Sequence, residues 1–168
     1  LSKPEYDRFI RATQWLIASD GQVDIFEFML QKVLEGHLST QYGGAKPSRI
    51  RYHKLESLAS DLHVLISTMA GIGAENHEDM LAAYAAAADD LSQSGVSLGG
   101  VLPASECGLH LVEEALEKMA QSTPPMKMHV LHACGLAVMA DGLLGSREAE
   151  LLRAAADAMG ATIPPFVK

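Results

Sequence analysis

Apolar residues recur along the chain at intervals of three and four, the spacing of helices that bury one face. Seven such segments can be read. The first spans about residues 4–19, with Phe9, Ile10, Thr13, Leu16 and Ile17 on one face and Pro4 suited to the opening turn. Asp20-Gly21 ends it. The second spans about 24–38, where Asp24 and Glu27 have capping-box spacing and Phe26, Met29, Leu30, Val33, Leu34 and His37 form the stripe. The third covers about 52–69, and Gly71-Ile72-Gly73 is read as its stop. The fourth follows Asn76 as N-cap and carries Met80, Leu81, Tyr84, Ala87 and Leu91. The fifth covers about 105–120. Thr123-Pro124-Pro125 opens the sixth, which continues to Asp141-Gly142. The seventh spans about 146–159 and closes on Gly160, the favoured residue just past a helix end.

No segment alternates with period two between hairpin turns. The predicted fold class is therefore all-α: a single-domain bundle of about seven helices over residues 1–168, with flexible connections near 40–50 and 92–103. Composition agrees, since the apolar 48% is mostly Ala, Leu, Met, Val and Ile while aromatics are 5%.

Charge narrows the function classes. A net charge of −8 argues against nucleic acid, whose phosphates call for a clustered basic face. The longest basic cluster, Lys46 to Lys54 with Arg49, Arg51 and His53, reads as a solvated loop. Two cysteines, Cys107 and Cys134, make no disulfide framework, and Cys134 reads as a small buried hydrophobe, which suits a reducing compartment. No apolar run is long enough to span a membrane, so no membrane insertion by this chain is expected. The opening Leu-Ser-Lys-Pro has no targeting character and reads as the start of an excised piece.

One feature repeats. Asp20-Gly21-Gln22-Val23-Asp24-Ile25-Phe26-Glu27 aligns with Asp141-Gly142-Leu143-Leu144-Gly145-Ser146-Arg147-Glu148. Both copies set a carboxylate at the end of one helix and another in the first turn of the next. Gly21 and Gly142 fit the left-handed geometry of a helix end, and Glu27 and Glu148 fit first turns. Asp24 is adequately explained as a cap. Asp20 and Asp141 are explained less well, because a negative charge at a helix C-terminus opposes the dipole by about 0.3–1 kcal/mol. Either the amides of the following turn or a cation could compensate. A hard divalent cation such as calcium takes about 6–8 oxygen ligands, and Asp20, Asp24, Glu27, Asp141 and Glu148 would supply most of them if the corners lay side by side. The EF-hand pattern is absent.

At these residues the chain resembles the TerB-like family of tellurite-resistance proteins. The resemblance implies a seven-helix bundle with pseudo-symmetric first and last corners and a carboxylate-lined, cation-binding site at Asp20, Glu27, Asp141 and Glu148. Asp24 occurs in the first copy only; Gly145 takes its place in the second. Two segments, Trp15 to Gln31 and Ala140 to Ala154 followed by Ile163-Pro164-Pro165, are similar to the C-terminal region of bacterial membrane-bound zinc metallopeptidases of the HtpX-like class. Those enzymes carry their zinc motif upstream, beside transmembrane helices.

Catalytic motifs are missing from the chain itself. There is no His-Glu-x-x-His, no Gly-x-Ser-x-Gly turn and no phosphate-cradling loop. His129-x-x-His132-x-Cys134 is the nearest metal-like spacing, with Cys134 off the shared face; His37, His63 and His110 read as core-edge residues. The reading is a non-catalytic accessory domain of a zinc metallopeptidase, binding a protein partner or the parent's other domains on the cytoplasmic side of a bacterial inner membrane. The alternatives are a stand-alone TerB-like cation-binding stress protein and a metal hydrolase using His129, His132 and Cys134.

Overall fold

The computed structural model describes residues 49–139 and 144–162 with Gly142 and, nearer the start, Pro4, Arg8, Glu27, Phe28 and Gln31. Contacts divide the chain into two compact units, Leu1–Pro47 and Ser48–Lys168. In the first unit each of the five described residues is helical. The rest of the first two predicted segments, and positions 40–48 of the connection after them, lie outside the described residues.

The described part of the second unit is built of helices joined by extended and turn segments, with no strand among the described residues. Its helices are α1 (Ala59–Gly73), α2 (His77–Ser92), α3 (Leu109–Ala120), α4 (Pro124–Val138) and α5 (Ser146–Met159), and 3-10 turns cover Leu55–Leu58 and Ala104–Glu106. Asn76 caps α2 as its spelling predicts: its side-chain oxygen accepts the Asp79 N–H at 2.9 Å. Gly160 ends α5 in the left-handed region (φ 62°, ψ 37°), and the Ala161 N–H reaches back to the Ala156 carbonyl at 2.8 Å.

α4 is the central helix. Met126, Val130, Ala133, Cys134 and Ala137 recur at three- and four-residue steps, and buried Leu131 and Val138 widen that stripe. It packs against α1, α2 and α5. The α1 side contributes Leu62, Leu65, Ile66 and Met69, and α5 contributes Leu151 and Met159, all at most 1% exposed. Burying each large side chain stabilises by about 1.5–3 kcal/mol, so this shared interior holds the unit together.

Three boundaries differ from the sequence reading, each for a local reason. Residues 49–54 form an extended lead-in and Leu55–Leu58 a 3-10 turn, so α1 starts at Ala59. α1 also runs through Gly71 and ends at Gly73. Gly73 serves close approach rather than punctuation: a Cβ there would collide with the backbone of Val138 at the end of α4. The fifth segment breaks at Cys107 and Gly108, leaving a separate 3-10 turn before α3.

The Gly- and Ser-rich stretch after α2, whose composition predicts flexibility, is strapped down. The Tyr84 hydroxyl donates to the Gly99 carbonyl at 2.7 Å, a His63 ring N–H donates to the Gly100 carbonyl at 2.7 Å, and the Leu102 N–H donates to the Ser67 hydroxyl at 3.1 Å. Val96 is buried beneath it. His63 is thus a half-buried edge residue that anchors a connection.

Candidate functional site

The second Asp-Gly corner joins α4 to α5. Past Val138 the Met139 backbone leaves helical geometry (φ −92°, ψ 61°), and the Gly142 N–H closes a turn onto the Met139 carbonyl at 3.1 Å. Gly142 has φ +76°, the left-handed geometry its spelling predicts. Gly145 is the N-cap of α5 with extended backbone (φ −72°, ψ 172°). Glu148, half-buried three residues later, folds its carboxylate back over Gly145, into the space a Cβ there would occupy. Negative charge is favoured at this helix start by the unpaired first-turn amides. A side chain at Gly145 would meet the Glu148 carboxylate, the free end of a flexible side chain that would swing aside.

Of the five predicted cation ligands, Asp20, Asp24 and Asp141 lie outside the described residues. Glu27 is a described, exposed helical residue of the first unit, and Glu148 belongs to the second. Among the described residues no group of three or more His, Cys, Asp or Glu side chains converges as metal ligands would.

A second polar constellation ties α2 to α4. One helical turn apart on α4, His129 and His132 each face one oxygen of the Asp90 carboxylate on α2: His129 Nε2 lies 3.0 Å from Oδ2, and His132 Nδ1 lies 3.3 Å from Oδ1. Asp90 is 22% exposed, His129 28% and His132 63%, so the clamp grades from the helix interface into solvent. Each imidazole takes its own oxygen, so the two flank the carboxylate. A carboxylate only accepts, which fixes the His129 proton on Nε2; Nδ1 is the ring nitrogen nearer the Ser94 hydroxyl, at 3.1 Å.

Ser94, His129 and Asp90 have the residue identities of a nucleophile, base and orienting carboxylate. Their geometry is different. Ser94 Oγ is 3.1 Å from Nδ1 and only 3.5 Å from Nε2, so it lies alongside the ring. A hydroxyl on the lone-pair axis of one nitrogen would stand much further from the other. The amides beside it are already bonded: Ser94 and Val96 N–H to the Leu91 carbonyl, and Gly95 N–H to the Ser92 carbonyl. That leaves none of these three to stabilise an oxyanion.

Cys134 takes no part. It is 0% exposed in the α4 core, and burial pushes its thiol up to about 12. The grouping of His129, His132 and Cys134 is therefore not assembled; the third partner of the two histidines is Asp90. Cys107 is likewise buried; its thiol is raised by burial, with the nearby Thr68 hydroxyl pulling the other way. His110 is exposed and folds over Gly108, and His37 lies outside the described residues.

Sequence reasoning missed Asp90. It sits 39 residues from His129 in an Asp89-Asp90 pair, and nothing local marks it. Helical phase was the available signal: Ala83, Ala87 and Leu91 face the core, which sets Asp90 at the edge of the buried stripe.

No family model, no curated protein and no solved structure matches this chain.

Proposed function

We propose that the chain is a non-catalytic, TerB-like interaction domain serving a bacterial membrane-bound zinc metallopeptidase of the HtpX-like class. One observation carries the non-catalytic half. Among the described residues, Asp90, His129 and His132 clamp α2 to α4, and His63 and Tyr84 hold the stretch between α2 and α3 in place. The parentage is supported by the two segments around the Asp-Gly corners. At the second of these, the left-handed Gly142 and the folded-back Glu148 agree with the pattern that both copies spell. In this reading the domain binds a protein partner or the parent's own domains, and bond cleavage belongs to residues elsewhere in the parent.

The coding sequence upstream of Leu1 tests the parentage. A His-Glu-x-x-His helix flanked by membrane-spanning segments is the expected result. An upstream frame with neither would overturn it.

A further inference from the structure

We propose that the extended segment Arg49–Lys54 is a docking strip for an acidic, extended polypeptide segment of a partner protein. This takes up the interaction-domain reading and names the chemistry of what is bound. Arg49, Ile50, Arg51, His53 and Lys54 are all exposed, with Ile50 at 45%. Three of the chain's 13 Lys and Arg residues thus stand within six positions of a chain whose net charge is −8.

The strip is fixed in place. Both the Arg51 and Tyr52 N–H groups donate to the Gln121 carbonyl, at 2.8 and 3.2 Å, and Tyr52 pairs as an isolated parallel bridge with Ser122. Ser122 is itself 1% exposed and bonded to the Met119 carbonyl. At the other end the Lys54 carbonyl accepts the Ser57 hydroxyl at 2.6 Å, and Leu55 and Leu58 are buried. A solvated loop needs none of these anchors. With the backbone already ordered, an incoming segment meets a smaller conformational cost.

Its charges are also unanswered. Lys118 is paired with Asp61 and Glu114, and Arg153 with Glu150. Among the described residues, Arg49, Arg51, His53 and Lys54 have no such carboxylate. The carbonyl end of α3, where Gln121 lies, favours a neighbouring cation, but that effect fades within the last turn. It reaches at most Arg51, whose backbone N–H meets the Gln121 carbonyl, and leaves the others unexplained.

The shape of the charge selects the occupant. Screening confines the strip's field to about 8 Å at physiological ionic strength. A narrow peptide lies wholly within that range, whereas a bilayer presents a charged surface far wider than six residues of one strip. Nucleic acid meets the same objection. Ile50 adds an apolar contact that a peptide side chain can cover.

The test uses the full 168-residue chain and a short fluorescein-labelled peptide alternating Glu and Val, followed by fluorescence anisotropy. Binding is expected. It should weaken about tenfold in Arg49→Glu/Arg51→Glu and fall steeply as salt is raised, while Arg153→Glu leaves it unchanged. Thermal melts of both variants confirm an intact fold. Three results would overturn the proposal: equal binding of a Gln-Val peptide, equal weakening by Arg153→Glu, or strip-dependent preference for phosphatidylserine vesicles, oligothymidylate or a second copy of the chain. The upstream coding sequence decides the parentage without reference to this strip, so the two failures are distinguishable.

Discussion

α4 meets its neighbours in two different ways. Toward the end of α1 the contact is backbone on backbone, with Gly73 against Val138 and no room for a methyl group. Toward the end of α2 it is side chain on side chain, with Asp90 held between His129 and His132 at the rim of solvent. The first contact tolerates almost nothing, because close-packed interiors cannot absorb extra volume. The second rests on partly hydrated polar groups, whose net contributions are modest. One helix thus has a rigid end and an adjustable edge.

Substitutions should separate the two. Gly73→Ala forces a methyl group into the Val138 backbone and should cost about 2–3 kcal/mol in chemical denaturation. A loss below about 0.5 kcal/mol would show that the α1–α4 approach relaxes freely. Cys134→Ser buries a hydroxyl in the α4 core and should cost about 1–2 kcal/mol. Asp90→Asn keeps the shape of the clamp but removes its charge, and a loss of about 0.5–1 kcal/mol is expected. His132→Ala, at 63% exposure the outermost member, should cost less than Asp90→Asn. If His132→Ala matched Gly73→Ala, the contrast between rigid and adjustable contacts would collapse.

The smallest expected effect concerns pH. Lys118 bridges Asp61 on α1 and Glu114 on α3, and this holds the Glu114 carboxyl below its ordinary range. A carboxylate with a lowered folded pKa contributes stability above its unfolded pKa, about 4.3, and loses it as pH falls through the lower folded value. Lys118→Met should therefore destabilise more at pH 6 than at pH 3. Denaturation at the two pH values checks this, and an equal loss at both would remove the electrostatic explanation.

Much of the second unit was legible from periodicity because its helices follow their apolar stripes. Leu109, Val112, Leu116 and Met119 recur at three- and four-residue steps along α3, and Asn76 and Gly160 marked ends by chemistry that acts within one turn. What was illegible depends on partners distant in sequence. Gly71 and Gly73 look like a stop until Val138 arrives beside them. The strap looks loose until His63, Ser67 and Tyr84 bind it. Asp90 has no motif, and it matters only because antiparallel packing brings two histidines to it. The Asp-Gly corner was legible as punctuation at Gly142, yet the fold of Glu148 over Gly145 required side-chain coordinates.

The proposed function has this chain act by binding, with bond cleavage left to residues outside it. The direct measurement incubates the purified 168-residue chain, with zinc and without, with an unstructured fluorogenic peptide. The account predicts no turnover above buffer, with His132→Ala indistinguishable from the unaltered chain. Turnover that disappears in His132→Ala, while the fold persists by circular dichroism, would contradict it.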